Sequence, residues 1–257
     1  MELDGRAVTA HDVAGLALCN YGHFTTMLMS QGRVRGLSLH LQRLVRDCRK
    51  LLDAELDVDR VRALVRRVDS EVPQTVRVTV YAPQLQLARP GADLDAHVLV
   101  TTRPAPGGEL PPLRLRSVAH RRDVPDVKHV GLFEAVRQRR LAQRAGFDDA
   151  LFVDDRSRVL EGTTWNIGFH DGAELVWPSG EQLLGVTMHL VQSLGVVTSV
   201  TRELDLRAAA GFPVAFATSA AVGVRPIAAL DDTPYDTATG LLDEVCHRYL
   251  TLPGDEV

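Results

Sequence analysis

Lysine is nearly missing from this chain of 257 residues: of its 29 basic side chains only Lys50 and Lys128 are lysine, the rest being arginine. No apolar run approaches the ~20 residues that a membrane-spanning helix needs. The opening "MELDGRAVTAHDV" carries acids where a secretory leader would have an apolar core, so the expected location is the cytoplasm. Cysteine is scarce. Cys19, Cys48 and Cys246 are odd in number, far apart and form no CxxC pair, which argues against a disulfide framework and a structural zinc site; no metal is expected. An excess of positive charge is lacking too. A formal net charge of −4 and a pI near 6.1 leave nucleic acid out of the expected partners, although "RVRALVRR" and "RQRRLAQR" look basic. Those arginines alternate with Val, Leu or Ala at helical spacing, as on a solvated helix face.

What is present reads as an ordinary soluble globular chain, 45% apolar and 24% charged, of α/β (α+β) class. The sharpest composition break is "RPAPGGELPP", residues 103–112, with four prolines and two glycines, which predicts a linker between a small N-terminal α+β domain (1–102) and a larger domain (113–257). In the first half, "FTTMLMSQGRVRG" predicts strand, turn and strand. "LSLHLQRLVRDCRKLL" predicts a helix with Leu41, Leu44, Val45, Cys48 and Leu52 on one stripe, and "VDRVRALVRRV" a second helix. "TVRVTVYA" alternates as a half-buried strand, with "AHVLVTT" as its neighbour. After the linker, "GLFEAVRQRRLAQRAG" predicts a helix with Leu132, Phe133, Val136 and Leu141 inward and Gly146 as its stop. "DALFVDDRSRVLEG" gives strand, turn, strand, and "TTWNIGFHDGAELVW" a hairpin at Asp171-Gly172. A short helix follows at "GVTMHLVQSLG", then buried strands at "VVTSV" and "PVAFATS" and a closing helix at "GLLDEVCHRYL".

Five features fit one chemical task. Lys128 matters because lysine, unlike arginine, can shed its proton and attack an aldehyde, provided its pKa of ~10.4 in water is brought down. Glu161, at a strand end in "LEGTTWN", could hold a pyridine nitrogen protonated and make the ring an electron sink. Gly185 in "LLGVTMHL" permits close backbone approach as a helix opens toward an anion, and Thr187 adds a hydroxyl. Thr218 and Ser219 end an apolar strand, where ligands are commonly held. Arg43, on the polar edge of its helix with His40 three residues before it, can grip a phosphate with two N–H groups. Each feature also has a plainer reading: a surface lysine, a turn glutamate, a helix start, a loop, one arginine among many.

Taken in order, "YGHFTTMLMSQGRVRGLSLHLQRL", "VKHVGLFEAVRQRRLAQRAGFDDALFVDDRSRVLEGTTWNIGF", "LLGVTMHL" and "ATSAAVGVRPI" resemble the fold-type IV pyridoxal-phosphate enzymes, the class IV aminotransferases. That family includes D-amino acid and branched-chain aminotransferases and aminodeoxychorismate lyase. The resemblance covers nearly the whole chain and implies two α/β domains with pyridoxal 5'-phosphate in the cleft between them, assembled as a homodimer. It implies that Lys128 carries the internal aldimine, that Glu161 pairs with the pyridine nitrogen, and that Arg43, Val186, Thr187 and Ser219 bind the phosphate, Val186 through its backbone. The implied activity is transfer of an amino group between a small-molecule amino donor and a 2-oxo acid. A lyase of the aminodeoxychorismate type, toward which "VKHVGLF" leans, and a noncatalytic cofactor-binding relative are the alternatives.

The chain departs from the family pattern at four places. Leu184 and Met188 stand where the family usually has Pro and Arg, Thr25 where many members have an acid, and Phe133 in the region of a tyrosine that branched-chain members carry. The first two imply phosphate binding that differs in detail, and Phe133 argues against a branched-chain assignment. His23, Tyr81, Arg89 and Arg225 are the candidates for substrate contact, on the loops at 19–27, 81–90 and 219–225.

Overall fold

The computed structural model describes residues 1–257. The chain forms two compact units: the first holds residues 1–106, 127–131 and 253–257, the second 107–126 and 132–252. The break falls inside the Pro/Gly-rich stretch. However, 127–131 and 253–257 return to the first unit, so a single larger domain over 113–257 does not hold. Both excursions are made by strand pairing with residues far away in sequence, which no local pattern announces.

The first unit runs β1 (Glu2–Leu3), β2 (Arg6–Ala7), α1 (Ala10–Cys19), β3 (His23–Ser30), β4 (Arg33–Val34), α2 (Leu37–Leu52), α3 (Val58–Arg66), β5 (Gln74–Tyr81) and β6 (His97–Pro104). With β16 (Asp255–Glu256) from the chain's end they build a seven-stranded sheet ordered β16-β4-β3-β5-β6-β1-β2. β3, β5 and β6 are antiparallel, with Thr25 opposite Val78 and Val78 opposite Val100. Alternation sorts their residues onto two faces. Met27, Met29, Val76, Val78, Val80, Val98 and Val100 join Leu37, Leu41, Leu44, Cys48 and Leu52 of α2 and Val61, Leu64 and Val65 of α3 in one core. α2 buries a second, polar stripe beside this apolar one: His40, Arg43 and Asp47. α1 begins with a capping box, Thr9 and Asp12 each closing on the other's backbone N–H.

The second unit runs β7 (Leu113–Ala119), α4 (Phe133–Arg144), β8 (Asp149–Val153), β9 (Val159–Gly162), β10 (Asn166–His170), β11 (Leu175–Pro178), α5 (Val186–Ser193), β12 (Ser199–Arg202), α6 (Leu206–Ala209), β13 (Val214–Ser219), β14 (Gly223–Leu230), β15 (Thr233–Pro234) and α7 (Gly240–Thr251). Its sheet is ordered β12-β11-β10-β13-β14-β7-β8-β9, with β15 beside β14. Phe216 and Trp177 sit in the core with Met188 and Val191 of α5 and Leu242 and Val245 of α7.

Two expectations change here. α4 has the expected helical period in a different phase: Phe133 and Val136 are 77% and 62% exposed and Leu141 is also exposed, while Ala142 is the buried residue. Ala142 lets the helix approach Ala150 and Phe152 of β8, and Arg139 on the same side reaches Asp149, Thr163 and Thr164 at 2.7–2.8 Å. A small-and-polar stripe thus faces the sheet, where the larger apolar stripe was expected. The strand at "VVTSV" is the sheet's edge strand β12, half-buried to exposed, with parallel pairing to β11 on one side only. No helix is long and apolar enough to cross a membrane.

Candidate active site

In the first unit the lysine-bearing segment lies along the start of β3. The Phe24 N–H donates to the Lys128 carbonyl (2.9 Å), the Val130 N–H donates to the Gly22 carbonyl (3.0 Å), and His23 faces His129. The Lys128 N–H donates to Oδ2 of Asp47 on α2 at 3.0 Å. The backbone of Lys128 is therefore held on both sides, by a strand through its carbonyl and by a helix side chain through its N–H. Its Nζ lies 5.0 Å from the centroid of the Phe24 ring, over which Arg77 of β5 also stacks at 3.6 Å.

Next to this segment α2 buries Arg43, 7% exposed, rather than setting it on the polar edge. Its Nη2 donates to Thr25 Oγ1 (2.5 Å) and lies 3.5 Å from His40 Nδ1, which is itself 2.7 Å from Thr25 Oγ1. No carboxylate pairs with Arg43, and its Nε has no partner. Burial pulls the guanidinium down to about 10, Asp47 opposing and Arg46 adding to the fall, so it stays charged at neutral pH. The adjacent rings are neutral for the same reason. Burial, then Arg43 and Lys128, hold His40 well below its usual range. Burial, then Arg43 and Arg46, bring His23 to about 4, and neither ring nitrogen of His23 has a partner. A buried cation hydrogen-bonded to neutral groups, with one N–H left unpaired, can receive an anion.

In the second unit Glu161 is buried on β9, where its Oε1 accepts from Arg122 Nη1 (3.1 Å) and from the Leu183 N–H (3.2 Å). Asn166 organises the neighbouring loop. Its Nδ2 donates to the Leu183 carbonyl (2.7 Å) and to Gln182 (3.3 Å), and its Oδ1 accepts from the Gly185 N–H (3.1 Å). A Cβ on Gly185 would stand 2.2 Å from that oxygen, so only glycine fits. Gly185 caps α5 without a side chain, which leaves Val186 and Thr187 to open the helix with their backbone N–H groups. Thr187 Oγ1 lies 3.3 Å from the Tyr249 hydroxyl. Thr218, opposite Asn166 in the sheet, donates to the Asn166 carbonyl at 3.5 Å, and Ser219 ends β13 half-buried.

The structure thus gathers Lys128, Arg43 and His23 in one unit, and Glu161, Val186, Thr187, Thr218 and Ser219 around Asn166 in the other. Three substrate candidates fall elsewhere. Tyr81 is fully buried with Leu3 and Leu99, its hydroxyl donating to the Asp12 carbonyl at 2.8 Å. Arg89 is exposed on the loop after β5, and Arg225 is half-buried with Nε on the Pro111 carbonyl at 2.7 Å. Sequence reasoning missed Asp47, Arg77, Arg122 and Asn166. Asp47 could have been found, since it continues the His40–Arg43 stripe by one helical turn. Arg122, 39 residues from Glu161, had no such signal. A groove of the first unit lies between α2 and α3, floored by Leu41, Val45 and Val58, and includes neither Lys128 nor Arg43.

The first unit thus holds a backbone-clamped lysine and a buried guanidinium with an unpaired Nε, and the second a buried carboxylate and a helix N-terminus without a side-chain cap. The chain belongs to the class IV amino-transferase family, which it matches over residues 22–230. No curated protein matches it in sequence. Among solved structures it is similar to a branched-chain aminotransferase of Thermoproteus uzoniensis (20% identity, 97% of this chain and 92% of that one, TM-score 0.84). It is similar as well to the branched-chain amino acid aminotransferase of Escherichia coli (14%, 99% and 94%, 0.85). A putative 4-amino-4-deoxychorismate lyase of Legionella pneumophila is also alike (20%, 93% and 92%, 0.78). At such identities the likeness is one of fold.

Proposed function

We propose that the chain is a pyridoxal 5'-phosphate-dependent aminotransferase that moves an amino group from an amino acid or amine to a 2-oxo acid. The observation that carries this reading is the buried Arg43 guanidinium, bonded to no carboxylate and with an orphaned Nε, in the unit that also clamps Lys128. Lys128 would hold the cofactor covalently, and Arg43, the Val186 N–H, Thr187 and Ser219 its phosphate, with Thr218 supporting that strand end. Glu161 would accept the pyridine N–H. When bound, the cofactor supplies an electron sink. The Lys128 amine would move a proton at the substrate α-carbon. Arg77, stacked on the same ring as the lysine, would take the substrate carboxylate. A homodimer is the expected assembly, and its solution mass should be twice 28.1 kDa.

The test is to purify the protein with pyridoxal 5'-phosphate, reduce it with borohydride and sequence the labelled peptide, then screen amino donors and oxo acids. Label on Lys128 and amino transfer are expected, and both should vanish in Lys128→Ala. Pyruvate release from 4-amino-4-deoxychorismate without transfer would make the protein a lyase. A bound cofactor that no donor alters would make it a noncatalytic relative. Absence of label on Lys128 sinks all three.

A further inference from the structure

Asp47 is 0% exposed on its side chain, and its two oxygens are divided between two tasks. Oδ1 accepts from Nε (2.9 Å) and Nη2 (2.7 Å) of the half-exposed Arg46, which compensates its charge. Oδ2 is left to accept the Lys128 N–H. Burying a carboxylate costs several kcal/mol before pairing, and the flanking Leu44 and Cys48 show that an apolar side chain could fill this side of α2. What the carboxylate provides, and no apolar side chain would, is an acceptor and a negative charge at the base of the lysine. Arg43 and Asp47 are spaced i, i+4, so one face of one turn carries both.

We propose that Asp47 is a positioning residue: it locks the Lys128 backbone to the same helical turn that presents Arg43, and it is the carboxylate that offsets the cations gathered there. The proposal rests on the function given above. Its logic is a ruler. A cofactor held at its phosphate by Arg43 and at its aldehyde carbon by Lys128 is gripped at two points, and Asp47 fixes the second relative to the first. α2 brings Arg43, Arg46 and neutral His40, β3 brings neutral His23 and the Phe24 ring, and β5 brings Arg77. Without Asp47 the N–H of Lys128 would lose this acceptor and the cluster one negative charge.

The experiment uses Asp47→Ala and the near-isosteric Asp47→Asn, which retains an oxygen acceptor but no charge. In cofactor-free protein, amide exchange of the 127–131 peptide should speed up at least tenfold in Asp47→Ala and less in Asp47→Asn, with β5 amides unchanged. In protein loaded with pyridoxal 5'-phosphate, the pH midpoint of the visible absorbance band should fall by about one unit in both variants, because a cation near the lysine nitrogen loses its opposite charge. Wild-type exchange rates and an unmoved midpoint in Asp47→Asn, with wild-type protein still labelled on Lys128, would overturn the inference and leave the proposed function standing. Failure of wild-type protein to label on Lys128 is the separate result that removes the function, and the inference with it.

Discussion

Arg43 and Thr25 are neighbours whose chemistry decides how strongly an anion is wanted. Thr25 offers Arg43 a hydroxyl and no charge, so the guanidinium has no directly bonded counter-ion until a ligand arrives. One charge-assisted hydrogen bond at such a site is worth roughly 1.5–3 kcal/mol. Arg43→Gln should therefore weaken pyridoxal 5'-phosphate binding roughly tenfold to a hundredfold, while pyridoxal, which lacks the phosphate, binds as before. Equal losses for both compounds, measured by titration, would take Arg43 out of the phosphate site. Arg77 belongs to the other end of the reaction. No carboxylate pairs with it, and it is half-buried against Phe24. Arg77→Met should raise KM for the oxo acid about tenfold or more, with cofactor affinity unchanged, as expected when one charge-assisted bond is lost. Unaltered KM with lowered kcat would assign Arg77 to something other than carboxylate binding.

At the scale of elements, α5 shows how a glycine can serve a site it never touches. The Asn166 side chain occupies the space where a Cβ of Gly185 would sit, and through Leu183 the same loop meets Glu161. Gly185→Ala should push the loop off Asn166, lose the 3.1 Å bond and destabilise the fold by about 1–3 kcal/mol. It should also raise the dissociation constant of pyridoxal 5'-phosphate in the same titration. Unchanged affinity would mean that α5 is not part of the phosphate cup. Much of this scale could be read in the sequence. α2, the β3–β4 turn, the β5–β6 pair and the β10–β11 hairpin follow from period and turn chemistry that act locally. α4 did not, because an apolar stripe gives the period of a helix while its phase depends on what the sheet beside it requires. There Ala142 and Arg139 fit β8 and Phe133 does not. The residues around Lys128 were legible as types, and Asp47 by its place on the His40–Arg43 stripe, yet Arg122 and Asn166 act through long-range contacts that no spacing rule encodes.

At the scale of the whole molecule, the histidines that make the lysine's surroundings neutral also make the fold sensitive to acid. His23 titrates near 4 in the folded chain and near 6.5 when unfolded. Between those values the unfolded chain binds a proton that the folded chain refuses, so stability falls as pH falls through this window and levels off below about 4. His40, held down by burial and by Arg43 and Lys128, acts in the same direction. Carboxylates with lowered pKa, such as Asp12 beside Arg6 and Thr9 and Asp154 beside Arg158, lose their contribution at lower pH, which separates the two effects. Between pH 7 and pH 5 the His23 term alone should remove about 2 kcal/mol from the unfolding free energy of the cofactor-free protein. Urea unfolding at the two pH values measures it. His23→Gln, whatever it does to stability at pH 7, should cut the difference between pH 7 and pH 5 by that amount. An undiminished difference in that variant would show that His23 is charged or hydrated in the native state, and the neutral, anion-seeking surroundings ascribed to Arg43 would have to be redrawn.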